Sequence, residues 1–99
     1  MAHHSTLTDR FEAALSALPL IAILRGIKPD EAVEVGLRIA DTGFRLIEIP
    51  LNSPDPFASI AAMRRALPDE VLVGAGTVLA VDQIEALAAC GADLAVMPH

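Results

Sequence analysis

The chain has no tryptophan and no tyrosine, and three phenylalanines are its whole aromatic content. Its apolar mass is aliphatic, mostly Ala, Leu, Val and Ile, a globular composition that argues against disorder. Positive charge is also scarce. Seven Lys plus Arg stand against thirteen Asp plus Glu, a formal charge of −6, which argues against a nucleic-acid or anionic-membrane surface and favours small-molecule or protein partners. The one cysteine, Cys90, cannot form an internal disulfide; beside Ala88 and Ala89 it reads as a small buried hydrophobe, in a reducing compartment. No run approaches the roughly 20 apolar residues of a membrane span, and the N-terminus lacks a basic stretch followed by an apolar one, so the cytoplasm is the expected location. His3, His4 and His99 have no third ligand at helical or hairpin spacing, so no metal is expected.

What is present is order. The 99 residues hold one domain at most, 54% apolar and 20% charged. Thr8 can cap a first helix reaching Leu18, with Phe11, Ala14, Leu15 and Leu18 on one stripe. Residues 1–18 are therefore taken as a tail and leading helix. Pro19 stops that helix, and Leu20 to Leu24 forms a continuous apolar run, expected to be a strand covered on both faces. Pro29, Asp30 and Glu31 suit the start of a helix whose Val33, Gly36, Leu37 and Ala40 share a face, with Glu34 and Arg38 paired outside and Gly43 as its stop. Phe44 to Ile49 reads as the second strand. Ser53 and Pro54 look like a cap and first helical residue, ahead of Phe57, Ile60 and Ala61. Val71 to Ala75 is the third strand, a helix from Val81 to Cys90 buries Ile84, Leu87 and Ala88, and Gly91 ends it before a fourth strand near Asp93 to Met97.

Strands thus begin near residues 20, 44, 71 and 93. Short, even βα units of this kind fit an open doubly wound sheet or a (β/α)₈ barrel. A full barrel takes about 250 residues, so residues 19–99 correspond to a partial barrel, its first four strands.

Glu48 interrupts the greasiest stretch, LIEIPLNS, near the C-terminal end of its strand. Alternation places it with Leu46 and Pro50, opposite Ile47, Ile49 and Leu51. A carboxylate among such neighbours is costly unless it is paired or serves a pocket. It either tilts out to solvent or pairs with Arg45 or Arg25, or acts as a general acid or base with a pKa raised by burial. Arg25 and Thr77 follow the first and third strands at the same rim, and Gly74-Ala75-Gly76 reads equally as a tight strand exit or as backbone open to a ligand.

The motifs LIAILRGIKPDEA, FRLIEIPLNSPDPFASI, VLVGAGTVL and ADLAVMPH, in this order from Pro19 to His99, resemble the N-terminal half of the phosphogluconate and phosphogalactonate aldolase family. The resemblance implies a (β/α)₈ barrel, usually trimeric, and a class I aldolase that needs no metal or other cofactor. Its substrate would be a phosphorylated 2-keto-3-deoxy sugar acid, its product pyruvate. Glu48, in the family's EIP motif, would shuttle protons. Thr77 and the backbone around Pro98 would contact the pyruvyl end, and Arg25 an anionic group. Asn52, in the LNS form, stands where the phosphogluconate enzymes often carry arginine, which tilts the substrate towards the galactonate.

The family's Schiff-base lysine belongs to the sixth strand and its phosphate site to the seventh and eighth, beyond these residues. The one lysine here, Lys28, is expected to be solvated with a high pKa and is not taken as the nucleophile. A truncated aldolase, inactive alone, is the expected state. The alternative is a non-catalytic half barrel that binds anions or assembles with itself through open sheet edges and an apolar inner face. A metal-dependent aldolase is disfavoured, because no second carboxylate or histidine stands at a comparable strand end.

Overall fold

The structure, a computed structural model, describes residues 6–97. Pro98 and the three histidines lie outside the described residues, so the expectations placed on them are not addressed by it.

Eight elements follow one another: α1 (Leu7–Ala17), β1 (Ile21–Ile23), α2 (Pro29–Asp41), β2 (Leu46–Pro50), α3 (Pro56–Ala66), β3 (Leu72–Gly76), α4 (Val81–Ala89) and β4 (Leu94–Ala95). The four strands form one parallel sheet in the order β1-β2-β3-β4, so α2, α3 and α4 are crossovers between neighbouring strands, and α1 leads into the first. This is the strand order of the first half of a (β/α)₈ barrel; a doubly wound sheet would reverse its order at a switch point.

Register decides which residues share a face. Ile21, Leu46 and Leu72 are in line, as are Ile23, Glu48 and Gly74, with Pro50 beside Gly76. These form the inner face. Ala22, Ile47, Ile49, Val73 and Ala75 point the other way, into the main core with Ile60, Met63 and Leu87 from the helices. Each large aliphatic side chain buried there is worth about 1.5–3 kcal/mol, so stability is concentrated on the helix side.

The inner face is different. Leu46 and Leu72 pack under Ala14 of α1, with Leu94 alongside, closing its N-terminal end. Ile21 and Ile23 remain 46% and 56% exposed, so the expectation that the first strand is covered on both faces is not met. That strand lies at the sheet edge, and only its Ala22 side meets a helix layer.

Several local expectations shift by a residue or two. Thr6, not Thr8, caps α1: its hydroxyl accepts the Asp9 N–H at 3.0 Å while the Asp9 carboxylate accepts the Thr6 N–H, a reciprocal pair that Thr8 could not make. In α2 the buried face is Ala32, Val35, Gly36 and Ile39 rather than one centred on Val33 and Leu37, because Gly36 lets Met63 of α3 approach; Leu37 is exposed. Helix α3 starts at Pro56 behind Asp55, not at Pro54 behind Ser53. Ile84 and Ala88 of α4 are exposed and only Leu87 is buried. Cys90 is partly buried against the main core and donates its thiol to the Leu87 carbonyl. The Glu34–Arg38 pair forms on the surface at 2.9 Å, and Gly43 and Gly91 take the left-handed conformation that ends α2 and α4.

One polar cluster was not foreseen. Asp93, before β4, meets Arg10 of α1 at 3.2 Å and Arg64 of α3, and it accepts the Val73 N–H at 3.0 Å. Four elements are tied by one carboxylate at the N-terminal end of the sheet. Asp93→Ala leaves both guanidinium groups and the amide without that acceptor, and it is expected to cost about 2–3 kcal/mol in urea unfolding of the complete gene product. A cost below about 0.5 kcal/mol, within the range of an ordinary surface substitution, would show that the cluster is not a structural tie.

Candidate functional site

The C-terminal ends of β1, β2 and β3 gather four of the residues singled out by sequence. Glu48 is 7% exposed, on the inner face one residue before Ile49 and two before the strand end. Its backbone is held by the ladder, with the Leu24 N–H donating to the Glu48 carbonyl at 2.9 Å. The side chain leans towards the mouth and lies over Gly76, where a Cβ would overlap the carboxyl group. Gly74 is needed for another neighbour, since a Cβ there would overlap Leu94. Both glycines of Gly74-Ala75-Gly76 therefore make room for side chains from adjacent strands. Neither sequence reading of that motif had anticipated this.

No described residue donates a hydrogen bond to the Glu48 carboxylate. Arg45, one of its possible partners, turns to the Ala40 and Phe44 carbonyls instead. Burial raises the Glu48 pKa above the ordinary carboxylate value, and the positive charge of Arg25 pulls against that rise without cancelling it. A carboxyl poised this way holds its proton to a higher pH than an ordinary carboxylate and can both give and take one.

Arg25 and Asn52 are brought together on the exposed rim, Arg25 Nη1 donating to Asn52 Oδ1 at 3.3 Å. Behind them, the Gly26 N–H donates to the Ser53 hydroxyl at 3.0 Å, joining the loop after β1 to the loop after β2. Thr77 follows Gly76 directly and is half-buried. Its φ of +58° is in the left-handed region, where a β-branched residue is rare and costs on the order of 1 kcal/mol. Strain of this kind collects at functional sites. Composition and periodicity carry no trace of it, so only its position after the strand marked Thr77. Lys28 is exposed at the N-cap of α2, in keeping with the solvated position expected for it.

Away from this rim, a cavity of about 220 Å³ lies between α1 and the sheet, lined by Leu7, Thr8, Phe11, Leu72, Asp93 and Leu94. It is at the end opposite the Glu48 mouth. Among the described residues no group of three or more His, Cys, Asp or Glu is placed to hold a metal ion. No helix among them is long and apolar enough to cross a membrane.

A half barrel with a desolvated acid at its C-terminal rim has its polar groups on the face where barrel enzymes bind substrate. The chain belongs to the KDPG and KHG aldolase family, whose family model matches residues 11–99. It is 52% identical over 91 residues to a probable 2-dehydro-3-deoxy-6-phosphogalactonate aldolase of Rhizobium meliloti, covering 92% of this chain and 43% of that one. It is 54% identical over 82 residues to the 2-dehydro-3-deoxy-6-phosphogalactonate aldolase of Escherichia coli, covering 83% and 40%. The native KDPGal structure superposes with a TM-score of 0.79 at 54% identity, over 83% of this chain and 40% of that one. A Zymomonas mobilis 2-keto-3-deoxy-6-phosphogluconate aldolase, 22% identical, shares the fold with a TM-score of 0.77 over 94% of this chain and 43% of its own. The chain thus spans about two-fifths of the length of the curated relatives it matches.

Because burial raises the Glu48 pKa, the folded state binds its proton more tightly than the unfolded chain does. Glu48 therefore costs no stability below its ordinary value of 4.5, and the cost grows as pH rises from there through the raised folded value. Glu48→Gln is expected to raise the thermal midpoint by a few degrees at pH 7 and to leave it unchanged near pH 3. A midpoint lowered at pH 7 would mean that the carboxylate is held by partners, as a structural ion pair would be.

Proposed function

We propose that this chain is the N-terminal part of a class I aldolase that cleaves 2-dehydro-3-deoxy-6-phosphogalactonate to pyruvate and glyceraldehyde 3-phosphate, with Glu48 as its proton shuttle. The observation that carries this reading is a buried carboxyl of raised pKa, without a hydrogen-bonding partner among the described residues, at the C-terminal rim of a chain over 50% identical to phosphogalactonate aldolases.

In the proposed reaction a lysine amine adds to the C2 ketone. The Glu48 carboxyl gives its proton to the departing hydroxyl, water leaves, and the iminium forms. The carboxylate then takes the proton of the C4 hydroxyl as the C3–C4 bond breaks, its electron pair passing to the iminium. A pKa moved towards neutrality serves both directions of transfer. Thr77 and the backbone near Pro98 contact the pyruvyl end, and Arg25 with Asn52 meets an anionic or hydroxylated part of the sugar acid. Lys28, exposed at a helix start, is assigned no covalent role. Residues 1–18 form a tail and leading helix and 19–99 the partial barrel, in a cytoplasmic oligomer of the family's trimeric type. One relative is part of a protein cage designed by fusing symmetric oligomeric domains, which supports assembly.

A second reading has its own observation. Ile21 and Ile23 on the open inner face, with Val96 and Met97 beyond β4, suit the self-assembling form of the non-catalytic half barrel. It predicts that Glu48→Gln changes stability with no turnover to lose.

Treating the complete gene product with pyruvate and borohydride is expected to add one pyruvate less an oxygen atom, read by mass spectrometry. Glu48→Gln in that protein is expected to lower kcat by about 10²–10⁴-fold. Failure to trap any adduct, or full activity in the variant, would reject the aldolase reading.

A further inference from the structure

We propose that Ser53 is a positioning residue of this site: its buried hydroxyl accepts the Gly26 N–H and fixes the turn that carries Arg25 to Asn52 at the Glu48 mouth. The proposal rests on the aldolase reading for what the site does, but its geometry stands apart from it.

Ser53 looks like a helix cap in the sequence, yet α3 begins at Pro56, and the hydroxyl is spent elsewhere. The residue is buried, and its own N–H donates to the Pro50 carbonyl at 3.0 Å, which pins it to the end of β2. Across the gap, Gly26 has a φ of +83° and nothing within 4 Å of where a Cβ would be; Leu24 and Ile27 on either side pack against the main core, and the exposed Arg25-Gly26 tip between them is tied by the bond to Ser53. Within the turn, the Ile27 N–H reaches the Leu24 carbonyl at 3.3 Å, longer than the 3.0 Å bond to Ser53. Ser53 therefore joins the turn to the adjacent, ladder-bonded strand.

Arg25 is the residue before Gly26, so the turn sets where its charge lies. Of the elements packed around Glu48, the exit of β1 contributes Arg25, β3 contributes the uncharged Gly74 and Gly76, and β2 has no other titratable group. Lys28 is the next charge along the Arg25 loop. Arg25 opposes the rise that burial imposes on Glu48, and a Coulomb effect of this kind fades as the charge moves away. Gly26 is an exposed residue and the bond is a single one, so losing it costs position more than stability.

The test uses the complete gene product with Ser53→Ala, Ser53→Thr, Arg25→Gln and the Ser53→Ala/Arg25→Gln pair. Two readouts are taken: NMR titration of the Glu48 carboxyl carbon and the pH dependence of kcat/KM. Ser53→Ala is expected to move both the titration and the acid limb to higher pH, with kcat/KM roughly threefold lower on that limb. Ser53→Thr keeps the hydroxyl and the parent profile. Arg25→Gln displaces the titration in the same direction and at least as far, with a further loss of kcat/KM from its substrate contact, and the double variant displaces the titration no further than Arg25→Gln alone. A Ser53→Ala titration that coincides with the parent, or a displacement that adds to that of Arg25→Gln, would overturn the proposal. Absence of turnover and of a pyruvate adduct would sink the aldolase reading instead, and the carboxyl titration would still decide the role of Ser53.

Discussion

The missing side chain at Gly76 is what the site depends on. Parallel register puts Glu48 opposite Gly74, and the inclination of the glutamate side chain carries its carboxyl one step further along the sheet, over Gly76. Any larger residue there would push the acid out of the inner face. With glycine in place the carboxyl is desolvated without a hydrogen-bonding partner among the described residues, and its affinity for a proton rises. The positive charge of Arg25 limits that rise. Sterics, register and electrostatics thus meet at one pair of residues on neighbouring strands.

The molecule separates stability from chemistry along two directions. Across the sheet, the helix-facing side holds the main core while the inner face is lightly covered. Along the strands, the N-terminal end is tied by Asp93 with Arg10 and Arg64 and plugged by Ala14, and the C-terminal end carries the strained Thr77 and the loop contacts of Arg25, Asn52 and Ser53. Barrel folds distribute these roles in the same way. Strain at one end is sustained because packing at the other holds the register.

Much of this was legible in the sequence because it rests on local patterns. Apolar runs punctuated by Gly43 and Gly91 gave the strand and helix order, and alternation around Glu48 gave its face correctly. Helix starts were less legible where several capping residues compete: Thr6 and Thr8, or Ser53 and Asp55, differ only in which hydroxyl or turn the tertiary structure engages. The face of α2 was misplaced because Gly36 is an attachment point for Met63, a contact that periodicity does not record. Asp93, Ser53 and the reason for Gly76 were illegible for one cause, since each is defined by a partner more than fifteen residues away. Strand-end position marked Arg25 and Thr77 and motif resemblance added Asn52, and all three lie at the same rim as Glu48.

The account's central claim is that the Glu48 carboxyl faces the reacting carbon from the inner wall of the barrel. A crystal structure of the complete gene product after borohydride trapping of pyruvate tests it most directly. The account predicts the Glu48 carboxyl over Gly76, within hydrogen-bonding reach of the adduct directly or through one water, with Thr77 at its carboxylate end. An adduct lodged elsewhere, or a Glu48 side chain turned to the outer surface, would contradict it.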